Sequence, residues 1–596
     1  MPIRTLLLLI ACLSPISLGA QVTLIKGAKV FDGTTMLGTR DVLIRDGRIA
    51  SVAANITAPA GASVVNAAGM TLLPGLIDSH THAFGDALEQ ALVFGVTTEI
   101  DMFAEVNDAR QKRSEQKKGN VAHRADIYSA GTLVTAPKGH GTEYGMTIPT
   151  ISSPDSAQAF VDARLAEGSD FIKIVYDDGA AYGRPIPTVS RETLKAVIDA
   201  THKRGKLAVV HVGQADFARN ALEAGADGLV HLFTDKSPSP DFGTLAASKK
   251  AFVIPTFTVL TSITGKPGAG DLFADSSLAR FVSTTGRGTI GTAFPFNPTG
   301  RPSRTVDVAV EAVKQLLAAG VPVLAGTDAP NPGTAHGIAM HKELEYLVNA
   351  GMSNVQALAA ATSVPAKTFS LADRGTIAAG KRADLLLVRG DPTVDIKATR
   401  LIEAIWKGGA RVDREAFATA VATAVADMNK PRSGPVSNFD DGTSRSVFGA
   451  GWAVTTDQMA GGKSTGEMKV VDGGAGGTAK SLLVTGSIVG PLPYAWAGVM
   501  FYPGAQPMSV ANLSGAKGIE FWVKGDGKTH HLMVFSQKRG MMPVTRNFVA
   551  NAEWTKVTMS FADFDGMDGS DVIGIGFTGG PAAGPISFQL DEVVLR

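Results

Sequence analysis

Hydrophobic and polar positions follow three different rhythms along this chain. From 21 to 74, apolar residues alternate with polar ones in short runs (VTLIKGAKVFDG, DVLIRDGRIASV, MTLLPG), each stopped by Gly or Asp. A period of two puts one side of each run on a core, so these runs predict strands. From 75 to 370 the text changes to eight apolar runs: GLIDSHTH, VTTEID, RADIYSAG, DFIKIVYD, LAVVHVG, GLVHLF, AFVIPTF and VPVLAGTD. Helical spacing fills the gaps between them, as in SRETLKAVIDATHKRG and VDVAVEAVKQLLAAG, and Gly205, Gly320 and Gly351 stand where helices end on a left-handed residue. Eight strand–helix units of this kind predict an α/β fold, a (β/α)8 TIM barrel.

Strand text returns over 371–412 (DRGTIAAGKRADLLLVRGD, LIEAIWKGGARV). Each flank is too small to bury a core alone, so 21–74 and 371–412 are expected to pair into one composite β-sandwich. Residues 413–437 read as an Ala-rich helix and a linker, PRSGPVS. The remainder, 438–596, is rich in Gly and in short alternating strands such as KGIEFWVKG and WTKVTMSF. It predicts a separate all-β, jelly-roll-like accessory domain.

Composition narrows the partners. Lys+Arg is 56 against 55 Asp+Glu, which gives no electrostatic case for a nucleic-acid partner. Residues 1–20, MPIRTLLLLIACLSPISLGA, combine a basic start, a short apolar core and small residues before a cleavage point, the layout of a secretory signal peptide. The expected location is therefore periplasmic or secreted. No later run is long and apolar enough to span a bilayer. The single Cys, Cys12, lies inside this leader, so a disulfide framework is excluded; lipidation at Cys12 is the lesser alternative.

The chemistry gathers at strand ends. Asp78-Ser79-His80-Thr81-His82 closes the first run, and side chains two apart on a strand point the same way. His211 closes LAVVHV, His231 closes DGLVHL and Asp328 closes VPVLAGTD. Functional side chains of such barrels collect at the C-terminal ends of the strands. Four His and one Asp there point to a metal site. Nitrogen with carboxylate oxygen suits zinc, with manganese, iron or cobalt open. Lys173 interrupts the apolar DFIKIVYD. It could react with CO2 to give a bridging carbamate, pair with a carboxylate such as Asp177, or snorkel to solvent.

At this point the sequence resembles a known family. LLPGLIDSHTH, FIKI, His211, His231, GTDAP and GTIAAGKRADLLLV make residues 25–410 similar to the amidohydrolase superfamily. HGIAMHKELEYLVNAGMSNVQALAAAT resembles its imidazolonepropionase-like branch with two metals, which includes Xaa-Pro and Xaa-Arg dipeptidases. The resemblance implies two divalent ions, most simply zinc. His80 and His82 would bind one ion and His211 and His231 the other, with carboxylated Lys173 bridging them and Asp328 binding the first and moving protons. It implies an exported, metal-dependent enzyme cleaving a C–N amide bond of a small molecule, a dipeptide or N-acyl amino acid, by attack of a metal-bridging hydroxide. A cyclic amide or lactone is the near alternative. A glycan- or surface-binding protein with a silent barrel is the alternative of another class, and the full ligand set argues against it.

His140, between glycines in APKGHGTEYG, is expected to be a catalytic and substrate-binding donor, and Tyr176 either to line the pocket or to pack as a rim tyrosine. Lys138 and Arg184 are weaker candidates for binding a substrate carboxylate, and His336 and His341 for shaping the pocket. His123, His202, His530 and His531 are assigned to the surface. The long stretch 261–304 reads either as a lid or binding segment, with Phe294 and Phe296 closing an apolar pocket, or as a partly disordered insertion. The C-terminal region, opening NFDDGT and closing FQLDEVVLR, resembles domains of the complex I intermediate-associated and carbohydrate-binding type. That likeness implies glycan or envelope contact, with Trp496 and Trp554 as candidate stacking surfaces.

Overall fold

A computed structural model describes residues 22–119, 121–142, 147–182, 185–294, 305–460, 462–490, 494–505, 507–539 and 542–596. The leader 1–20 with Cys12, Arg184 and Phe296 lie outside the described residues. The chain opens with β1 (Thr23–Phe31), β2 (Met36–Arg45), β3 (Arg48–Ala53), β4 (Ser63–Asn66) and β5 (Met70–Pro74). Seven parallel strands follow: β6 (Leu76–Thr81), β7 (Val96–Asp101), β8 (Asp126–Ser129), β9 (Ile172–Val175), β10 (Ala208–His211), β11 (Gly228–Val230) and β12 (Phe252–Ile254). The eighth stave, 323–329, is held by isolated bridges, Val253 to Val323 on one side and Thr81 to Ala329 on the other. A bridge from Val134, in the segment after β8, to Ile174 of β9 closes the barrel.

Inside the barrel Ile77, Ile100, Val209, Val230, Ile254 and Leu324 form an apolar plug. The helices sit where the 3.6-residue spacing predicts them. Helix Arg191–Lys203 starts at Ser190, whose hydroxyl accepts the Thr193 N–H, and turns Leu194, Val197 and Ile198 inward. Each such side chain contributes about 1.5–3 kcal/mol on burial. Gly205, Gly320 and Gly351 all take positive φ just past a helix, as expected.

After the barrel, β13 (Leu385–Arg389), β14 (Ile402–Lys407) and β15 (Ala410–Arg411) return to the N-terminal strands. β5 pairs with β13, giving one eight-stranded sheet in the order β15-β14-β13-β5-β1-β2-β3, with β4 added to β1. The sheet wraps its own core of Ile25, Val42, Ile44, Leu72, Leu385 and Trp406. A buried ionic knot ties it to the base of the barrel. Asp126 Oδ2, at the start of β8, accepts Arg374 Nη1 at 2.5 Å, Arg382 Nη1 at 2.6 Å and Lys407 Nζ at 2.9 Å. Asp384 takes Lys407 at 3.2 Å, and Asp373 takes Arg374 Nε at 2.9 Å. The three cations together hold the Asp126 carboxyl down to about 2 against its burial.

Helix Arg414–Asn429 leads to the C-terminal region, built of β16 (Gly434–Ser437), β17 (Gly451–Thr456), β18 (Thr465–Asp472), β19 (Lys480–Ile488), β20 (Ala497–Tyr502), β21 (Gly518–Gly525), β22 (Thr529–Ser536), β23 (Val544–Val549), β24 (Thr555–Ser560), β25 (Val572–Gly579) and β26 (Gly584–Leu595). They form two sheets, β18-β19-β26-β21-β24 with β16 on β26, and β17-β20-β25-β22-β23. Phe501, Phe521, Phe577 and Phe588 fill the space between. His530 corrects an expectation: it is buried among Phe548 and Phe588, with Nε2 at 2.9 Å from Asp526, because its position in β22 faces the core. Trp496 and Trp554 are half-buried; Trp496 donates to Thr455 Oγ1 and the Lys524 ammonium lies over Trp554.

The stretch after β12, expected as a lid, is described up to residue 294. It forms helices Phe257–Ile263, Gly270–Phe273, Ser276–Ala279 and Thr284–Ile290, several of them packed on Phe94 and Ile338. Phe294 is half-buried, with its N–H donating to Ser262 Oγ at 3.2 Å.

Candidate metal centre

The C-terminal ends of the staves bring five imidazoles into one row. Ring centroids step 5.5 Å from His82 to His80, 4.7 Å to His231, 4.6 Å to His211 and 5.1 Å to His140. Asp328 meets the row from the eighth stave: Oδ1 lies 3.3 Å from His80 Nε2 and 3.1 Å from His82 Nε2, and Oδ2 lies 3.9 Å from His231 Nε2. Ligand atoms of His80, His231 and Asp328 all fall within 4.8 Å of one another. Lys173 points inward from β9, 3% exposed, close enough for Asp328 and Asp101 to act on its charge.

The electrostatics suit a cation. Burial drives the His80 and His231 rings well below the ordinary imidazole range, and the His211 ring to about 4, so all three are neutral. Asp328 is buried too, yet the hydrogen bond from His82 and the nearby Lys173 help keep its carboxylate at about 2. Burial brings Lys173 down to about 7, a reactive range for an amine, with Asp328 and Asp101 opposing. Among the described residues, neither His80 nitrogen nor Asp328 Oδ1 has a hydrogen-bond partner of acceptable geometry, although both are buried. Buried polar atoms left this way cost about 1–3 kcal/mol each. A bare His80 nitrogen, Nε2, against an ionised carboxylate fits a divalent cation between them.

Several ligand candidates are braced from behind. His82 Nδ1 lies 3.3 Å from Phe103 O, and His231 Nδ1 lies 2.7 Å from Thr256 Oγ1. His211 Nε2 lies 3.4 Å from Asp177 Oδ2, while Asp177 Oδ1 accepts the Gly179 N–H at 2.9 Å. The sequence reading offered Asp177 as a partner for Lys173; here it braces His211 instead. Asp101 was missed as well: Oδ1 accepts the Ala83 N–H at 2.9 Å and Oδ2 the Ser129 hydroxyl at 2.5 Å, next to His82.

His140 stands half-buried beside His211. Tyr176 is a correction. It lies one residue past β9 on the side opposite Lys173 and Val175, and its ring packs 4.6 Å from Phe217 of helix Ala215–Ala224. It is 6% exposed within the helix layer and does not line the site. Lys138 is exposed. His341 is a packing residue, bonded to Phe94 O and Thr399. His336 Nδ1 binds Glu99 at 2.8 Å, and that carboxylate raises the His336 ring above its usual range despite burial.

Residues 71–413 match the sequence profile of the amidohydrolase family, and residues 439–572 match that of complex I intermediate-associated protein 30. An imidazolonepropionase of Deinococcus deserti is 25% identical over 402 residues, covering 63% of this chain and 93% of its own. Two solved structures share the fold at 23% identity. A Xaa-Pro dipeptidase with bound methionine has a TM-score of 0.53, with 66% of this chain and all of the other covered. A prolidase described as putative, from Bifidobacterium longum, has a TM-score of 0.52, with 67% and 99% covered.

Proposed function

This chain belongs to the amidohydrolase family and is a hydrolase acting on C–N bonds, and on that premise we propose that it cleaves the amide bond of a dipeptide or N-acyl amino acid at a pair of divalent ions. The observation that carries the reading is the meeting of His80, His82, His211, His231 and Asp328 around an inward-facing Lys173. His80, His82 and Asp328 would hold one ion, and His211 and His231 the other; zinc suits the donors. Lys173, reacting as a neutral amine with CO2, would release a proton to solvent and become an anionic carbamate that adds oxygen ligands for the ions. When bound, the ions supply a nucleophilic water at neutral pH and polarise the scissile carbonyl.

The chain's own residues do the rest. Asp328 would take a proton from the attacking water and deliver it to the departing amine nitrogen. His140, whose ring lies 5.1 Å from that of His211, would donate a hydrogen bond to the substrate carbonyl or carboxylate. The apolar plug of Ile100, Val209 and Leu324 below keeps bulk water from the barrel side. A cyclic amide is the second reading, favoured by the relatives named imidazolonepropionase. Export directed by residues 1–20 belongs to the same proposal, and fractionation of cells expressing the full chain checks it.

The test is metal analysis combined with a library of dipeptides, N-acyl amino acids, cyclic amides and lactones. Two ions per chain and turnover of one class, both lost in Lys173→Ala, support the proposal. Full activity of that variant removes the bridge, and full activity of Asp328→Asn removes the proton transfer.

A further inference from the structure

Three residues that end neighbouring staves have left-handed backbone: His231 (φ 65°), Thr256 (φ 54°) and Asp328 (φ 59°). For a β-branched residue such as Thr256 this conformation is an outlier, and it persists only where the surroundings hold it. The hold comes from helix Ile338–Asn349. Glu343 is fully buried; Oε1 accepts the Phe257 N–H at 2.9 Å and Oε2 the Thr258 N–H at 2.8 Å. These are the two peptide groups that follow Thr256, so the carboxylate pins the corner from outside the barrel.

The corner faces the site. The Thr256 hydroxyl donates to Pro255 O at 2.7 Å, and its oxygen lies 2.7 Å from His231 Nδ1. With its proton committed to Pro255, that oxygen can only accept, so Nδ1 carries the imidazole hydrogen and the lone pair is left on Nε2, the nitrogen toward Asp328. The same glutamate reaches the other strained ligand. The Thr258 hydroxyl lies 3.1 Å from Glu343 Oε2 and 3.0 Å from Thr327 O, the residue before Asp328.

We propose that Glu343 and Thr256 are positioning residues of the metal centre: Glu343 locks the left-handed corner that turns Thr256 Oγ1 onto His231 Nδ1, which fixes the ring's tautomer and direction toward the ion. The proposal rests on His231 being a ligand. Outer partners of metal-binding histidines characteristically set affinity in this way.

The test uses the full chain stripped of metal and titrated with Zn2+ against a competing chelator, and with Co2+ for its absorption spectrum. Thr256→Val keeps the shape and removes the acceptor; it is expected to weaken Zn2+ binding about 10–100-fold and to shift the cobalt bands. Thr256→Ser restores the oxygen and is expected to match the wild type. Glu343→Gln, which cannot accept both N–H groups, is expected to follow Thr256→Val. Wild-type affinity and spectrum in Thr256→Val overturn the proposal. A Glu343→Gln protein that melts earlier yet binds Zn2+ normally overturns the part assigned to Glu343. If Glu343→Gln does not fold, the Thr256 pair alone decides. A wild type that binds neither ion sinks the metal reading itself, an outcome distinct from the others.

Discussion

Neutralising Asp126 should loosen the barrel and the composite sheet together. The Asp126 side chain is fully buried and receives three cations on one oxygen, with Asp384 and Asp373 completing a balanced set of three positive and three negative groups. Asp126→Asn leaves one buried positive charge without compensation, which costs about 3–5 kcal/mol. Unfolding entropy is about 2.1 cal/mol/K per residue. For the roughly 390 residues of sheet plus barrel that amounts to about 0.8 kcal/mol/K, so the calorimetric midpoint of this unit should fall by about 4–6 °C. The transition of the C-terminal β-region should stay in place, since none of its residues joins the knot. Adding Lys407→Met to Asp126→Asn removes the surplus charge and should recover part of the loss. The pH dependence follows from the same carboxyl, which sits at about 2 in the fold and near 3.8 when free. Its contribution is complete above about pH 4 and disappears as pH falls through 2. A midpoint change below about 1 °C in Asp126→Asn, or no recovery in the double variant, would refute the electrostatic account.

Other outcomes follow from the site. Asp177→Asn should lower metal occupancy and kcat/KM about 10–100-fold, because His211 loses its charged brace; isothermal titration and steady-state kinetics check it. Removing metal with a chelator should lower the melting temperature of the barrel, since an ion present at 1,000 times its Kd stabilises by about 4 kcal/mol. Glu99→Gln should cost about 1–3 kcal/mol at low pH by breaking the bond to charged His336. The Glu99 carboxylate raises the His336 ring, so that gap is full below pH 6.5 and closes as pH climbs through the raised value; urea midpoints across pH 6–9 measure it.

The barrel and the ligand candidates were legible because each is a local signal, a polar residue closing an apolar run. GLIDSHTH, LAVVHV, DGLVHL and VPVLAGTD carry it, and Lys173 stood out by contrast with its neighbours. The braces were not legible, since Asp177, Thr256 and Asp101 act on partners far away in sequence or lie in loops where polar residues are ordinary. Glu343 did leave a trace. It shares the buried stripe of Met340, Leu344 and Leu347 at helical spacing, where a carboxylate has no business unless it is bonded. The period of two puts Tyr176, three residues after Lys173, on the opposite side of the strand, so its pocket reading went against the strand's own alternation. His530 was misplaced because it sits next to His531, and adjacent strand residues face opposite sides.

The pairing of β5 with β13 sets a timetable for biosynthesis. Pro74 and Leu385 are partners, so the opening strands cannot complete their sheet until the whole barrel has left the ribosome. At about 5–20 residues per second that wait lasts on the order of 15–60 s, with the outer edge of β5 open. Contacts this distant slow folding and favour misassembly. A nascent chain stalled before residue 385 should therefore be the form most readily captured by holdase chaperones, and release of 385–411 the event that frees it.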